Sequence, residues 1–272
     1  MIALCKAIEA NDMKEIDRLL ADGADVNAKG KGNMTPLLWA FHEDNPDVFK
    51  KLLEHGADPN VVVTNRFNTK DIEITPSGAI FPGESVLFLA ARIGKPNYFK
   101  YVMQHGGNPN LITNDLSPPL FVLGGQYPDK KEAIQLLIDA GADLEYRSPT
   151  VSNTALESSI TKKLFSITLQ LLEAGASFNA YSGNNVRIST PVHAFVGEMP
   201  EDTPPDERES YAKVLEWLEI NGADIEGARR DREAWSQYGQ QSPARLAELK
   251  QRYEDDLAAK VAAKEQADAA EQ

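Results

Sequence analysis

The stretch "TPLLWAFHEDNPDVFKKLLEHGADPN", residues 35–60, decides how the chain reads. Thr35 suits a helix N-cap, and Pro36 suits the first helical position, where a missing N–H leaves no bond unmade. Leu37 and Ala40, then Phe49, Leu52 and Leu53, recur at the spacing of a buried helical face. Asp44 and Asn45 interrupt that face ahead of Pro46, because the residue before a proline is pushed out of helical geometry. Gly56 supplies the positive φ that ends the second helix. The predicted unit is helix, turn, helix and finger.

The ending of this unit recurs as "LLADGADVN" (19–27), "LLEHGADPN" (52–60), "VMQHGGNPN" (102–110), "LIDAGADLE" (137–145), "LLEAGASFN" (171–179) and "LEINGADIE" (218–226). The shared glycines Gly23, Gly56, Gly106, Gly141, Gly175 and Gly222 are separated by 33, 50, 35, 34 and 47 residues. Its beginning recurs as "TPLLWA" at Thr35, "SVLFLA" at Ser85, "PPLFVL" at Pro118, "TALESS" at Thr154 and "TPVHAF" at Thr190. A single helix pair cannot hide its apolar stripe, so successive copies must stack into one continuous core. The pattern resembles the ankyrin repeat in both period and opening box.

That resemblance covers residues 2–226 and implies an all-α solenoid of six helix-turn-helix repeats, at about 2–27, 35–60, 85–110, 118–145, 154–179 and 190–226. Residues 227–272 are expected to form a C-terminal capping helix and a frayed tail, with Ser242 and Pro243 as cap and first turn. Leu246, Leu249, Tyr253, Leu257 and Val261 make its apolar stripe, which a coiled-coil or partner helix would also use. The longest departure from the period is an enlarged finger over 61–84, between repeats two and three. Within it "DIEIT" and "GAIFP" can pair as a hairpin arm, although a merely tolerated insertion would cost little. Repeat six inserts the acidic "MPEDTPPDERE" between its helices.

With 28 basic against 41 acidic residues the net charge is −13, which repels a phosphate backbone, so nucleic acid is not an expected partner. The single cysteine, Cys5, excludes an intrachain disulfide. No apolar run reaches the ~18 residues of a membrane helix. No basic segment followed by an apolar one opens the chain, so a cytoplasmic protein is expected, with a periplasmic or membrane-anchored one as the alternative if an upstream signal has been removed.

Chemistry is harder to find. "SITK" (159–162) and "SYAK" (210–213) match an S-x-x-K spacing but lack its companion motifs, and both fall on repeat helices. Hydrolase, zinc and nucleotide signatures do not occur. His55 and His105 precede the turn glycines, where an imidazole can bond the end of a helix, and His193 belongs to the "TPVH" box. No enzyme activity, catalytic residue, metal ligand, cofactor or small-molecule substrate is expected.

The ankyrin resemblance implies protein recognition through finger tips and the exposed first-helix face. On this chain that selects His42, Glu43 and Arg92 from first helices, with Arg66, Phe67, Tyr146, Arg147, Tyr181 and Arg187 from fingers. Aromatic and arginine side chains carry most interface energy, which favours these positions. Within ankyrin proteins, "SVLFLAARIGKPNYFKYVMQHGGNPN" (85–110) resembles bacterial immunity proteins paired with type VI secretion phospholipase effectors. The resemblance implies one protein partner, a cognate lipase, neutralised by a chain that is monomeric when free. The alternative is an intracellular scaffold or host-directed effector that brings proteins together.

Overall fold

The computed structural model describes residues 2–30, 34–63, 83–112, 118, 120, 130–147, 153–179, 182–183, 188–197, 199 and 203–270. They divide into two compact units, Met1–Asp143 with Ser148–Thr150 and Leu144–Arg147 with Val151–Gln272. Both are built of helices, apart from one pair of two-residue strands in the second.

The first unit contains α1 (Ala3–Glu9), α2 (Met13–Ala21), α3 (Pro36–His42), α4 (Pro46–Glu54), α5 (Val86–Arg92), α6 (Pro96–Gln104) and α7 (Lys130–Asp139). Each of its first three pairs joins a helix of 7 residues to one of 9. Local chemistry sets both lengths. The Thr35 hydroxyl accepts the Leu38 N–H at 3.4 Å and the Ser85 hydroxyl accepts the Phe88 N–H at 3.1 Å, fixing where α3 and α5 begin. Asn11 and Asp44 then turn the chain with φ of 50° and 53°, a left-handed conformation that Asn and Asp tolerate better than most residues. The next helix starts at once, with Asp12 accepting from Glu15 N–H and Asn45 from Val48 N–H, both at 3.1 Å. Gly56 ends α4 with φ +85°. A Cβ there would meet no atom within 4 Å, so it is the backbone angle that requires glycine.

Helix α1 packs on α2 and α3, α3 on α4, α5 on α6, and α6 on both α4 and α7. Six of the seven residues of α3 are buried, leaving His42 as the one with appreciable exposure. Phe41, Phe49 and Tyr98 form an aromatic cluster, with Tyr98 centroids 5.0 and 4.8 Å from the two phenylalanines. Phe49 and Phe99 are fully buried, and removing such a ring costs ~3–5 kcal/mol.

Polar links join one repeat to the next. Asn27 donates its amide to Gly56 O at 3.0 Å and accepts the Asp58 N–H at 2.8 Å. Asn60 does the same to Gly106 O (3.2 Å) and Asn108 N–H (2.7 Å), and Asn110 to Gly141 O (2.9 Å) and Asp143 N–H (2.7 Å). One carboxamide thus satisfies a donor and an acceptor of the following turn. Lys51 and Lys95 add ion pairs to Asp17 and Asp44 of the preceding repeat.

The base of the enlarged finger is closed. Val62 and Ser85 form an antiparallel bridge, flanked by Val63 N–H to Glu84 O at 3.0 Å and Gly83 N–H to Val63 O at 2.6 Å. The expected hairpin arm itself lies outside the described residues, as does most of the first helix of repeat four.

The second unit contains α8 (Ala155–Thr161), α9 (Phe165–Glu173), β1 (Ser182–Gly183), β2 (Ile188–Ser189), α10 (Pro191–Phe195), α11 (Pro205–Ile220), α12 (Ile225–Tyr238) and α13 (Pro243–Ala270). The strands pair antiparallel, Ser182 opposite Ser189 and Gly183 opposite Ile188. Helix α9 packs on α8 and α11, and α10 on α8 and α12. The links between repeats differ in kind here. Glu145 stands where the earlier repeats have asparagine, and its carboxylate accepts the Ser177 N–H at 2.6 Å. A carboxylate has no hydrogen to give, so the companion bond to a turn carbonyl is lost. Glu207 of α11 takes over part of the linking role, accepting from both the N–H and the hydroxyl of Ser166 at 2.9 Å.

One terminal helix was expected, beginning near Pro243. That helix is present, with the Ser242 hydroxyl accepting the Arg245 N–H at 3.3 Å. A second, α12, precedes it. Asp224 caps α12 by accepting the Gly227 N–H at 2.9 Å, and the buried face of the helix is Ile225, Ala228 and Asp231. An aspartate in the buried stripe hides this helix from any search for apolar periodicity. Helix α13 continues to Ala270 through the stretch expected to fray, since Ala, Glu and Gln are strong helix formers. The Leu257 side chain of the expected stripe lies outside the described residues. Leu249 is buried, and Val261 is 51% exposed.

Candidate functional site

Helices α3 and α5 end at equivalent positions, His42 and Arg92, and each of these side chains is oriented by a neighbouring carboxylate. Glu84 belongs to the closed base of the finger and is 3% exposed. Its carboxylate receives Arg92 side-on, with Nε 2.9 Å from Oε1 and Nη2 donating to Oε2 at 3.1 Å. A carboxylate this buried needs its cation, so the Arg92 guanidinium is held in one orientation while 28% of the side chain stays open to solvent.

His42 Nδ1 lies 3.0 Å from Glu43 Oε1. The carboxylate only accepts, so Nδ1 carries the hydrogen and, in the neutral ring, Nε2 is left with the lone pair. Among the described residues buried Nε2 has no hydrogen-bond partner, and neither has Nε1 of Trp39, whose ring meets His42 edge-on at 5.7 Å. A buried polar atom left unpaired costs ~1–3 kcal/mol. Trp39 and Phe41, also on α3, belong to the core at 7% and 3% exposure.

In the second unit Arg147 repeats the Arg92 arrangement. Its Nη1 donates to Glu157 Oε2 at 3.1 Å, and the Glu157 side chain is 8% exposed. The same carboxylate oxygen accepts the Thr154 N–H at 2.8 Å, while the Thr154 hydroxyl accepts the Glu157 N–H at 3.2 Å. This reciprocal capping box holds the start of α8 and the arginine together. Tyr146, next to Arg147, is half-buried. Arg66, Phe67, Tyr181 and Arg187 lie outside the described residues. Sequence reading missed Glu84 and Glu157. The second was detectable, because "TALE" (154–157) is a T-x-x-E capping signature.

His55 and His105 bond the carbonyls of Lys51 and Tyr101 through Nδ1, at 2.7 and 2.8 Å, closing their helix ends as expected. His193 is more deeply engaged. Its Nδ1 accepts the Thr190 N–H at 3.1 Å, which leaves Nε2–H to donate to Asp231 Oδ2 at 3.1 Å, and its ring stacks on Trp235. Burial holds the imidazole below its ordinary pKa against the opposing pull of Asp231. Asp231 also receives Arg245 Nε at 3.0 Å, and Arg245 reaches Asp224 and Glu248, both at 2.9 Å. One arginine of α13 therefore clasps α12 and the turn before it. Beside this clasp is a cavity of about 250 Å³, bordered by Asn179, Gly222, Asp224, Arg252, Tyr253 and Asp255 among others.

Among the described residues no group of three or more His, Cys, Asp or Glu side chains is placed to hold a metal ion. No helix among them is long and apolar enough to cross a membrane.

Comparison with known proteins supports the same unit. Residues 1–63 match the family model of ankyrin repeats, in three copies. The chain is 49% identical over 59 residues to the human mitochondrial disaggregase, and 46% identical over 59 residues to its bovine counterpart. It is 40% identical over 58 residues to an ankyrin repeat protein of fowlpox virus (strain NVSL). Each match takes in 21–22% of this chain and only 7–9% of the relative, so it speaks for the repeat and not for the whole relative. Among solved structures, the ankyrin repeat domain of Bcl-3, a member of the IκB protein family, superposes with a TM-score of 0.56 at 20% identity. That likeness covers 82% of this chain and 87% of the Bcl-3 domain, and it is a likeness of fold. Six recurring turn glycines, seven- and nine-residue helix pairs and an asparagine link from turn to turn make the chain an all-α array of ankyrin-like helix pairs, within which residues 1–63 match the ankyrin-repeat family itself.

Proposed function

We propose that the chain is a scaffold that holds a partner protein on the first-helix ends of its first unit, around His42, Glu43 and Arg92. The observation that carries this reading is the fixed geometry of those side chains. Arg92 is locked by buried Glu84, and His42 is oriented by Glu43, so little side-chain freedom is lost when a partner arrives. The finger positions Arg66, Phe67, Tyr146, Arg147, Tyr181 and Arg187 are proposed as further partner contacts, each on its own unit. The match of residues 1–63 to the ankyrin-repeat family model fits a general protein-binding role.

The narrower reading is an immunity protein that covers a type VI secretion lipase. It rests on the wording of residues 85–110 and draws no support from those relatives. Co-expression with the product of the adjacent gene separates the two. Relief of a lipase toxicity together with a one-to-one complex would favour the immunity protein, and a complex with a non-toxic partner the scaffold.

The site itself is tested with His42→Leu and Glu43→Lys in the full chain. Each should weaken partner binding about tenfold, the effect of losing one central contact, without lowering the melting temperature. Affinities within twofold of the parent would refute the placement. Arg92→Glu is a poor probe, because it sets a second carboxylate against buried Glu84 and would unfold the unit.

A further inference from the structure

The asparagine link offers a measure of what one turn lacks. Asn27, Asn60 and Asn110 each donate to the carbonyl of the next turn glycine and accept the N–H two residues further on. For Asn179 the corresponding groups are Gly222 O and Asp224 N–H. Among the described residues neither bond is made, and all three residues border the cavity of about 250 Å³.

The separation has a local cause. In the regular fingers the residue two after the glycine turns the chain through a bond to the second residue on, as in Asn60 N–H to Asp58 Oδ1 at 2.8 Å. Asp224 instead accepts from the third residue on, Gly227, at 2.9 Å, and so starts a helix where a finger would extend. A pair of surfaces that close on each other elsewhere in the molecule is here held open.

We propose that this cavity binds a carboxamide, the group carried by asparagine and glutamine side chains. A carboxamide between the two sides would donate to Gly222 O and accept from Asp224 N–H, as Asn27 and Asn60 do at their own turns. Its second N–H and second lone pair face the Asn179 amide. Charge supports a neutral ligand: Arg245 and Arg252 border the cavity with Asp224 and Asp255, so the charges balance and neither an anion nor a cation is favoured. The volume falls below the ~300 Å³ of the smallest drug-like pockets, which suits one side chain with its flanking backbone.

The test is a titration of the ¹⁵N-labelled full chain, followed by amide spectra. Three probes are used: N-acetyl-L-glutamine methylamide, free L-glutamine, and the γ-methyl ester of N-acetyl-L-glutamate methylamide, which lacks the side-chain donor. The glutamine peptide should give saturable shifts at the Asn179 carboxamide and the Asp224 N–H within the ~10 mM range, with the ester at least about tenfold weaker. Equal binding of free L-glutamine would assign the site to the free amino acid, and preference for the capped form to a peptide segment. Asn179→Ala, at an exposed finger position, should leave the rest of the spectrum in place and abolish the shifts. Shifts that do not saturate, that are as strong with the ester, or that persist in Asn179→Ala would overturn the proposal.

Discussion

The two units join their repeats by different means. In the first, one asparagine per finger satisfies a donor and an acceptor of the next turn, three times over. In the second, Glu145 makes half of that link, Asn179 makes none of it, and cohesion shifts to carboxylates reached from further along the chain. Glu207 holds Ser166 from α11, and Arg245 gathers Asp224, Asp231 and Glu248 from α13. A regular neutral ladder spreads stability evenly over its interfaces, whereas a charged clasp concentrates it in one side chain.

The sharpest way to break that comparison is Arg245→Ala. It leaves Asp231, which is 4% exposed, with the His193 hydrogen bond but without its cation, and should cost ~3–5 kcal/mol. Hydrogen exchange should show α12 and α13 losing protection while α1 to α6 keep theirs, and a uniform loss would contradict a concentrated clasp. Next in size, Asn60→Ala removes two bonds and should cost ~1–2 kcal/mol in denaturant unfolding, against less than ~0.5 kcal/mol for Asn179→Ala. Equal costs would mean that the ladder is not what distinguishes these sites. Glu145→Asn restores the missing donor, and a gain of ~1 kcal/mol in stability is expected; no change in the melting midpoint would count against the half-link.

The smallest effect concerns pH. His193 is held below its ordinary pKa in the fold and takes up a proton at about 6.5 when unfolded. Its contribution is therefore complete above about pH 6.5 and is lost as pH falls through the lower folded value. Between pH 7.5 and 5.5 the parent should lose more stability than His193→Gln. Matching slopes would remove His193 as the source.

The repeat itself was legible because its determinants are local. A threonine before Pro36 and a glycine after α4 each answer to a single backbone requirement, and their kind recurs from repeat to repeat. Glu157 was legible too, as the fourth residue of "TALE", though its hold on Arg147 depends on where a finger returns in space. Glu84 carried no such mark, since nothing in "GESVLF" says that its carboxylate turns inward. Helix α12 was hidden by Asp231, a charged residue made tolerable inside the fold by His193 and Arg245, neither of which is near it in sequence. Interactions between residues 14 and 38 positions apart leave no periodic trace.

The pinch between Val62 and Ser85 has a consequence for engineering. Because Val62 and Ser85 are paired in one antiparallel bridge, the two described ends that border positions 64–82 are already brought together. Closing a loop across such a bridge costs only ~0.6 kcal/mol for each doubling of its length. Foreign peptides of quite different size could be spliced there without disturbing the repeats on either side, provided the incoming segment leaves Glu84 to meet Arg92.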